Sequence, residues 1–255
     1  MNIILFSPDD VLTDSKPRMG QYFPKYVFYK TDARYSHIKK ILRLSEGDTF
    51  KAGMINGRVG RGSIEQFSET QLIFSFTGTH DPLPLHPVNI ILGFPRPIQL
   101  KRILRDIASL GFFRLLLTGT ELGEKSYLKS TLASETEVRQ YLLDGISQAG
   151  QSLLPEVSFY PSVMDCLCSE AVCEAAGKKI TLDISASAKS LSTLKLNKNE
   201  TVTVAVGNER GWTDFERRLF AAANFKTYAM GSRILRTETA ACSALAVILA
   251  HNGYW

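Results

Sequence analysis

The spacing of apolar positions changes character once along the 255-residue chain. Up to about residue 80 the apolar runs are short and rich in β-formers. Tyr26-Val27-Phe28-Tyr29, Thr49-Phe50-Lys51-Ala52, Val59–Ile64 and Gln71–Phe76 predict strands. Ile55-Asn56-Gly57-Arg58 joins the second to the third and carries the Asn-Gly signature of a tight hairpin. One stretch has helical spacing instead: Ile38, Ile41, Leu42 and Leu44 predict a helix over Tyr35–Leu44. A small β-barrel with one helix is the expected outcome for this part.

Prolines at 82, 84, 87, 95 and 97 then stiffen the stretch 76–97 and mark a boundary near residue 80. Beyond it, strands and helices alternate. The strands are Val88–Phe94, Phe113–Leu117, Lys179–Ile184, Thr201–Val206 and Lys226–Met230. The helices are Ile98–Leu110, Ser134–Ala149, Val163–Ala176, Asp214–Ala223 and Thr237–Ala250. Gly111 closes the first helix. Ser134 with Glu137, and Thr213 with Glu216, have the spacing of capping boxes. Apolar strands alternating with helices predict a parallel α/β sheet covered on both faces. The closing helix is apolar on most sides and must be buried on more than one.

Composition narrows the classes of function. The chain is 44% hydrophobic and 22% charged, which excludes a disordered chain or a coiled coil. No apolar run approaches the roughly 20 residues of a membrane-spanning helix, so no membrane partner is expected. The N-terminus lacks a basic region before its apolar run and is not read as a signal peptide. Cys166, Cys168, Cys173 and Cys242 have neither CxxC spacing nor a histidine nearby, so idle cytosolic thiols are expected, and no metal site. The net charge of +5 divides as +3 up to residue 80 and +2 beyond, which permits a polyanionic partner without demanding one.

Two strand-to-helix loops hold candidate chemistry, because ligands of parallel α/β sheets sit outside the carboxyl ends of strands. In Gly207-Asn208-Glu209-Arg210-Gly211-Trp212-Thr213 two glycines flank a polar turn. Either the turn needs positive φ, or the backbone there approaches a ligand closely. In Met230-Gly231-Ser232-Arg233-Ile234-Leu235-Arg236-Thr237-Glu238-Thr239-Ala240 two arginines precede a helix N-terminus, where the dipole disfavours cations. An Arg–Glu pair at a helix start would explain Glu238 but not both arginines, and an anionic ligand or partner would. A Rossmann-type nucleotide site would need a glycine-rich turn after the first strand of the α/β half, and Gly93-Phe94-Pro95-Arg96-Pro97 is unsuited to that.

Arg233–Ala240, preceded by Met-Gly-Ser, resembles the C-terminal signature of the RsmE-type small-subunit ribosomal RNA methyltransferases, members of the SPOUT superfamily. Gly207-Asn208-Glu209-Arg210-Gly211-Trp212-Thr213 is similar to the family's Gly-Pro-Glu-Gly-Gly-aromatic-Ser/Thr, departing at Asn208 and Arg210. His37-Ile38-Lys39-Lys40-Ile41-Leu42-Arg43, followed by Gly47-Asp48, matches the family's N-terminal motif. Ile146-Ser147-Gln148-Ala149-Gly150-Gln151 lacks the acid and arginine usual in the family at that helix end, and the family's arginine-rich start is absent from Met1–Phe6.

The resemblance implies a PUA-like RNA-binding β-barrel over residues 1–78 and a SPOUT α/β domain with a deep trefoil knot over 79–255. It implies a cytoplasmic homodimer that methylates N3 of a uridine in 16S ribosomal RNA, on the small ribosomal subunit, with S-adenosylmethionine. Cofactor contacts map onto Leu182, Gly207, Asn208, Glu209, Gly211, Met230, Gly231, Ser232, Ile234 and Leu235. Arg236 is assigned to stabilise the uracil anion and Glu238 to act as general base, with Glu209 shaping its loop. Glu238 as a plain helix-start residue remains open. Arg18, His37, Lys39, Lys40 and Arg43 are assigned to RNA, against the alternative of a solvated helix face. The alternatives for the whole chain are a catalytically silent RNA-binding or ribosome-assembly paralogue, and a methyltransferase with a different RNA target.

Overall fold

The computed structural model describes residues 2–12, 24–128, 130–185 and 188–255. Arg18 lies outside the described residues. The chain forms two compact units, one of residues 1–84 with 146–154, the other of 85–145 with 155–255.

The first unit is built on a five-stranded sheet in the order β1 (Ile4–Phe6), β3 (Thr49–Met54), β4 (Val59–Phe67), β5 (Gln71–His80) and β2 (Lys25–Tyr29). All pairs are antiparallel except β1 with β3. After β1 the chain reaches the opposite edge, where Val11 bridges Tyr26. Phe6, Phe28, Phe74, Leu72 and Ile38 fill the core, with Phe6 edge-on to Phe74 at 5.4 Å. The hairpin turn forms as expected, with Asn56 at φ 59°. The predicted helix starts earlier than its periodicity indicates. Helix α1 (Ala33–His37) is capped by Asp32, whose carboxylate accepts the Arg34 N–H at 2.7 Å. It widens into a π turn over Ile38–Leu42 and stops at Arg43, which turns left-handed at φ 54°.

Residues 146–154 join this unit through hydrogen bonds with no local signature. The Ser147 carbonyl accepts the N–H groups of Asn2 and Ile3, and the Ser152 carbonyl accepts that of Asn56. Gln151 accepts the Leu83 N–H at 3.0 Å.

The second unit carries a wholly parallel seven-stranded sheet. Its order is β10 (Lys189–Ser190), β12 (Lys226–Ala229), β9 (Lys178–Leu182), β11 (Val202–Val206), β6 (His86–Gly93), β7 (Phe112–Thr118) and β8 (Glu156–Tyr160). The central strands β6 and β11 are apolar and buried, as both-face coverage demands. The helices are α2 (Pro97–Leu110), the short α3 (Lys125–Leu128), α4 (Glu135–Gln148), α5 (Val163–Leu167), α6 (Glu170–Cys173), α7 (Asp214–Ala222) and α8 (Thr237–His251). The single helix expected over 163–176 is two short ones. Ser162 caps α5, and Ser169 sits extended at φ −72°, ψ 150°, which ends one helix and starts the next. No helix among the described residues is long and apolar enough to cross a membrane.

Candidate active site

Strands β11, β9 and β12 are neighbours and end level. Ala205 pairs with Thr181, and Leu182 with Tyr228, so the loops after Val206, Leu182 and Ala229 leave one edge of the sheet side by side. The edge lies next to the point where strand order reverses between β6 and β11, the place where an open parallel sheet presents a crevice.

The loop after β11 is drawn tightly onto its neighbours. Asn208, 7% exposed, donates from Nδ2 to Thr120 Oγ1 at 2.7 Å and accepts the Arg210 N–H at 2.9 Å. Glu209 accepts the Arg96 N–H at 2.9 Å, and Arg96 is the N-cap of α2. This bond ties the loop after β11 to the start of α2. A side chain at Gly93 would lie 2.8 Å from the Asn208 nitrogen, so only glycine lets the two strand ends meet. The turn then enters α7 through a complete capping box. Thr213 accepts the Glu216 N–H, and Glu216, buried, accepts those of Thr213 at 2.8 Å and Glu121 at 2.9 Å. Asn208, Glu209 and Arg210 line a pocket of about 240 Å³ with Arg96, Leu122 and Tyr127.

The loop after β9 is anchored by charge. Asp183 follows Leu182 and accepts hydrogen bonds from the Arg217 guanidinium, while Asp214 holds the same arginine at 2.8 Å. The hydrogen bond to Asp183 raises the Arg217 pKa above its ordinary value.

The loop after β12 is the most open. Gly231 turns left-handed at φ 85°, with nothing near the position of a would-be side chain. Met230 and Gly231 line an open pocket of about 570 Å³ with Leu191, Val247, Ala250 and His251. Ser232, Arg233 and Arg236 are exposed, Leu235 is half-buried, and Ile234 is 87% exposed. Neither arginine has an acidic partner among the described residues, although Arg236 is the N-cap of α8. Glu238, in the first turn of α8, is half-buried, and its Oε2 is buried without a hydrogen-bond partner. Of the ten predicted cofactor contacts, Asn208 and Glu209 line the smaller pocket and Met230 and Gly231 the larger. Leu182, Gly207, Gly211, Ser232, Ile234 and Leu235 line neither.

A model of the RNA methyltransferase domain matches residues 81–249. The ribosomal RNA small subunit methyltransferase E of Treponema pallidum is 41% identical over all of this chain and 93% of its own length. The chain belongs to the ribosomal RNA small subunit methyltransferase E family. A second member of the methyltransferase E family, from Borreliella burgdorferi, is 29% identical over 84% of this chain and 88% of its own. The methyltransferase E of Neisseria gonorrhoeae, solved bound to S-adenosyl methionine, shares the fold with a TM-score of 0.74 at 18% identity, over 97% of each chain. Membership makes the chain an enzyme, an RNA methyltransferase with a mixed α/β fold.

Sequence reasoning missed Thr120, Glu121, Arg96 and the Asp183–Arg217 pair. Each meets its loop across tens of residues of chain, so no local spacing announces it. In the first unit, Lys40 and Arg43 are exposed. Lys39 is tied to Glu69 at 3.0 Å. His37 is half-buried, and burial pushes its imidazole below the ordinary value, so it is neutral at pH 7. Burial pushes the Cys166 thiol up to about 12 and the Cys242 thiol to about 11, which leaves neither a ready nucleophile. Among the described residues, no group of three metal-ligating side chains converges.

Proposed function

We propose that this enzyme transfers a methyl group from S-adenosylmethionine to N3 of a uridine in the 16S ribosomal RNA of the small subunit. The observation that carries the proposal is the segment Gly231–Arg236. It combines a left-handed glycine with open space around it, an outward-facing Ile234 and two arginines without acidic partners among the described residues. The relatives' names and the S-adenosyl methionine bound in the Neisseria structure support the same substrate and cofactor.

The residues present fit that cofactor. Adenine needs an apolar slot with a few fixed polar partners. Leu182, Ile234 and Leu235 supply apolar surface, and the backbone of 207–211 and 230–235 supplies donors and acceptors that glycine leaves accessible. When bound, the cofactor supplies a methyl group on a positively charged sulfur.

The chain's own residues then serve the acceptor. N3 of uracil carries a proton that must leave before its lone pair can attack. Glu238 takes that proton at Oε2, the oxygen without a partner. Arg236 faces the charge that develops on the uracil carbonyl oxygens. Lys40 and Arg43 bind phosphates and position the RNA, with Lys39 and Arg18 adding charge and His37 acting only as a neutral group. The first unit is read as the PUA-like barrel, the second as the trefoil-knotted SPOUT domain, and the enzyme as a cytoplasmic homodimer.

Calorimetry tests the cofactor site. Wild-type enzyme should bind S-adenosylmethionine, and Gly231→Val, which forces a β-branched residue to positive φ, should abolish binding. Wild-type enzyme that binds neither this cofactor nor its demethylated product would overturn the proposal.

A further inference from the structure

Helical spacing places Ile38, Ile41, Leu42 and Leu44 on one face of the first unit's helix, and only part of that face reaches the core. Ile38 is buried and Leu44 packs against the same cluster, whereas Ile41 is 68% exposed and Leu42 39%. The π turn is the cause. The Ile38 carbonyl accepts the Arg43 N–H, five residues on, so the turn holds an extra residue and swings Ile41 and Leu42 off the buried face. Arg43 then closes the turn in the left-handed region, which is costly for any residue with a side chain. A helix that only needed to end would place glycine there. This one keeps a guanidinium beside two solvent-facing aliphatic side chains.

Unpaired cations surround that pair. Lys40 and Arg43 flank Ile41-Leu42 in sequence, both are exposed, and neither has an acidic partner among the described residues. The turn 44–48 leads from this helix end into β3, and Arg61 on the neighbouring β4 donates to Thr49 Oγ1, at the start of β3, at 3.3 Å. Of the two acids in that turn, Asp48 accepts the Ser45 N–H at 2.8 Å and Glu46 is exposed. Arg61 is directly opposed to Lys51 across β3 and β4, and both are exposed without acidic partners among the described residues. Like charges placed opposite one another weaken a sheet, and an anion beside them removes that cost.

We propose that this helix end seats an unpaired base of the RNA on Ile41 and Leu42, while Lys40, Arg43 and Arg61 hold the phosphates beside it; the inference rests on the reading of the first unit as an RNA-binding barrel. A base pulled out of its stack offers an apolar face, and aliphatic side chains gain by covering it. A paired stem offers them nothing. Its base faces are stacked inside, its major groove is too deep and narrow for side chains to read, and its minor groove displays hydroxyls. The RNA element held here is therefore a loop, a bulge or a strand end. Phosphates alone would use the cations and leave the two aliphatic side chains in water.

Fluorescence anisotropy on the full chain tests this with two labelled RNAs of equal phosphate number, an unpaired oligouridine and a blunt duplex. Wild-type protein should bind the oligouridine more tightly. The double variant Ile41→Ala/Leu42→Ala should weaken that binding about fivefold or more. It should leave duplex binding and the melting temperature unchanged, since both side chains are exposed. Ile41→Phe, which enlarges the seat, should retain the preference. Lys40→Ala/Arg43→Ala should instead weaken both RNAs alike and flatten the salt dependence. If the Ile41/Leu42 variant weakens both RNAs alike, or neither, the base seat is overturned, and the RNA-binding reading then stands or falls on the Lys40/Arg43 variant. Saturable binding of neither RNA by wild-type protein overturns both. An Ile41/Leu42 variant that scatters at the chain mass where wild type scatters at twice that, with RNA binding intact, would assign the two side chains to a second copy and also overturn the proposal.

Discussion

Glu209 Oε1 accepts the backbone N–H of Arg96 at 2.9 Å, and this one hydrogen bond joins the loop after β11 to the start of α2, 113 residues away. Arg96 makes no side-chain cap of its own, and the Glu209 carboxylate takes the N-cap's own N–H, the bond that the N3 acid makes in a capping box. Glu209→Ala should therefore lower stability by about 1 kcal/mol, as lost helix caps do, read as a lower urea midpoint. Glu209→Gln keeps an acceptor and should lose less than half as much. Equal losses in the two variants would mean that the charge, not the hydrogen bond, is what matters.

A second prediction concerns pH. His86 stacks beside Tyr254 with ring centroids 4.2 Å apart, and burial holds its pKa below the ordinary 6.5. The folded state then binds fewer protons than the unfolded one, so stability is complete above pH 6.5 and falls as pH drops below it. Melting temperature should decline between pH 7 and 5, and His86→Gln should flatten part of that decline. An unchanged slope in the variant would remove His86 from the explanation.

How much of this was legible in the sequence varies with the range of the interactions involved. The capping box of Thr213 and Glu216, the Asn56–Gly57 turn and the apolar strand Val202–Val206 rest on neighbours in sequence, and each forms where the spacing places it. Strand β8 went unread although Pro155 and Pro161 bracket its β-rich run. Strand β1, three residues long, is held by parallel pairing to β3 nearly fifty residues on, which leaves no periodic trace. The same holds at the site. The loop glycines and the 233–240 segment stand out locally, whereas Asn208 on Thr120 and Asp183 on Arg217 exist only once the sheet brings distant strand ends together.

The catalytic assignment divides into two variants. Arg236→Ala should retain cofactor affinity and lose most turnover, and Arg236→Lys should recover little, since a point charge does not reproduce a planar fork. Glu238→Gln should slow single-turnover methylation by about two orders of magnitude if its Oε2 takes the N3 proton. A variant that instead loses roughly 0.3–1 kcal/mol of stability at a preserved rate would identify Glu238 as a helix-start residue.

Helix α8 buries Ala241, Ala244, Leu245, Ile248 and Leu249, while Ala240 and Val247 on other sides stay half-buried. In the proposed homodimer a second subunit completes that cover. Light scattering at micromolar concentration should give twice the 28.3 kDa chain mass. A stable species at the chain mass would refute the dimer.

The central claim is methylation at a uridine N3, and nucleoside analysis of the product tests it most directly. Small ribosomal subunits from a strain lacking this enzyme, incubated with the purified chain and S-adenosylmethionine, should gain one 3-methyluridine per 16S RNA, and none with Arg236→Ala. A methyl group on another nucleoside, or an unmodified RNA from enzyme that demonstrably binds the cofactor, would contradict the account.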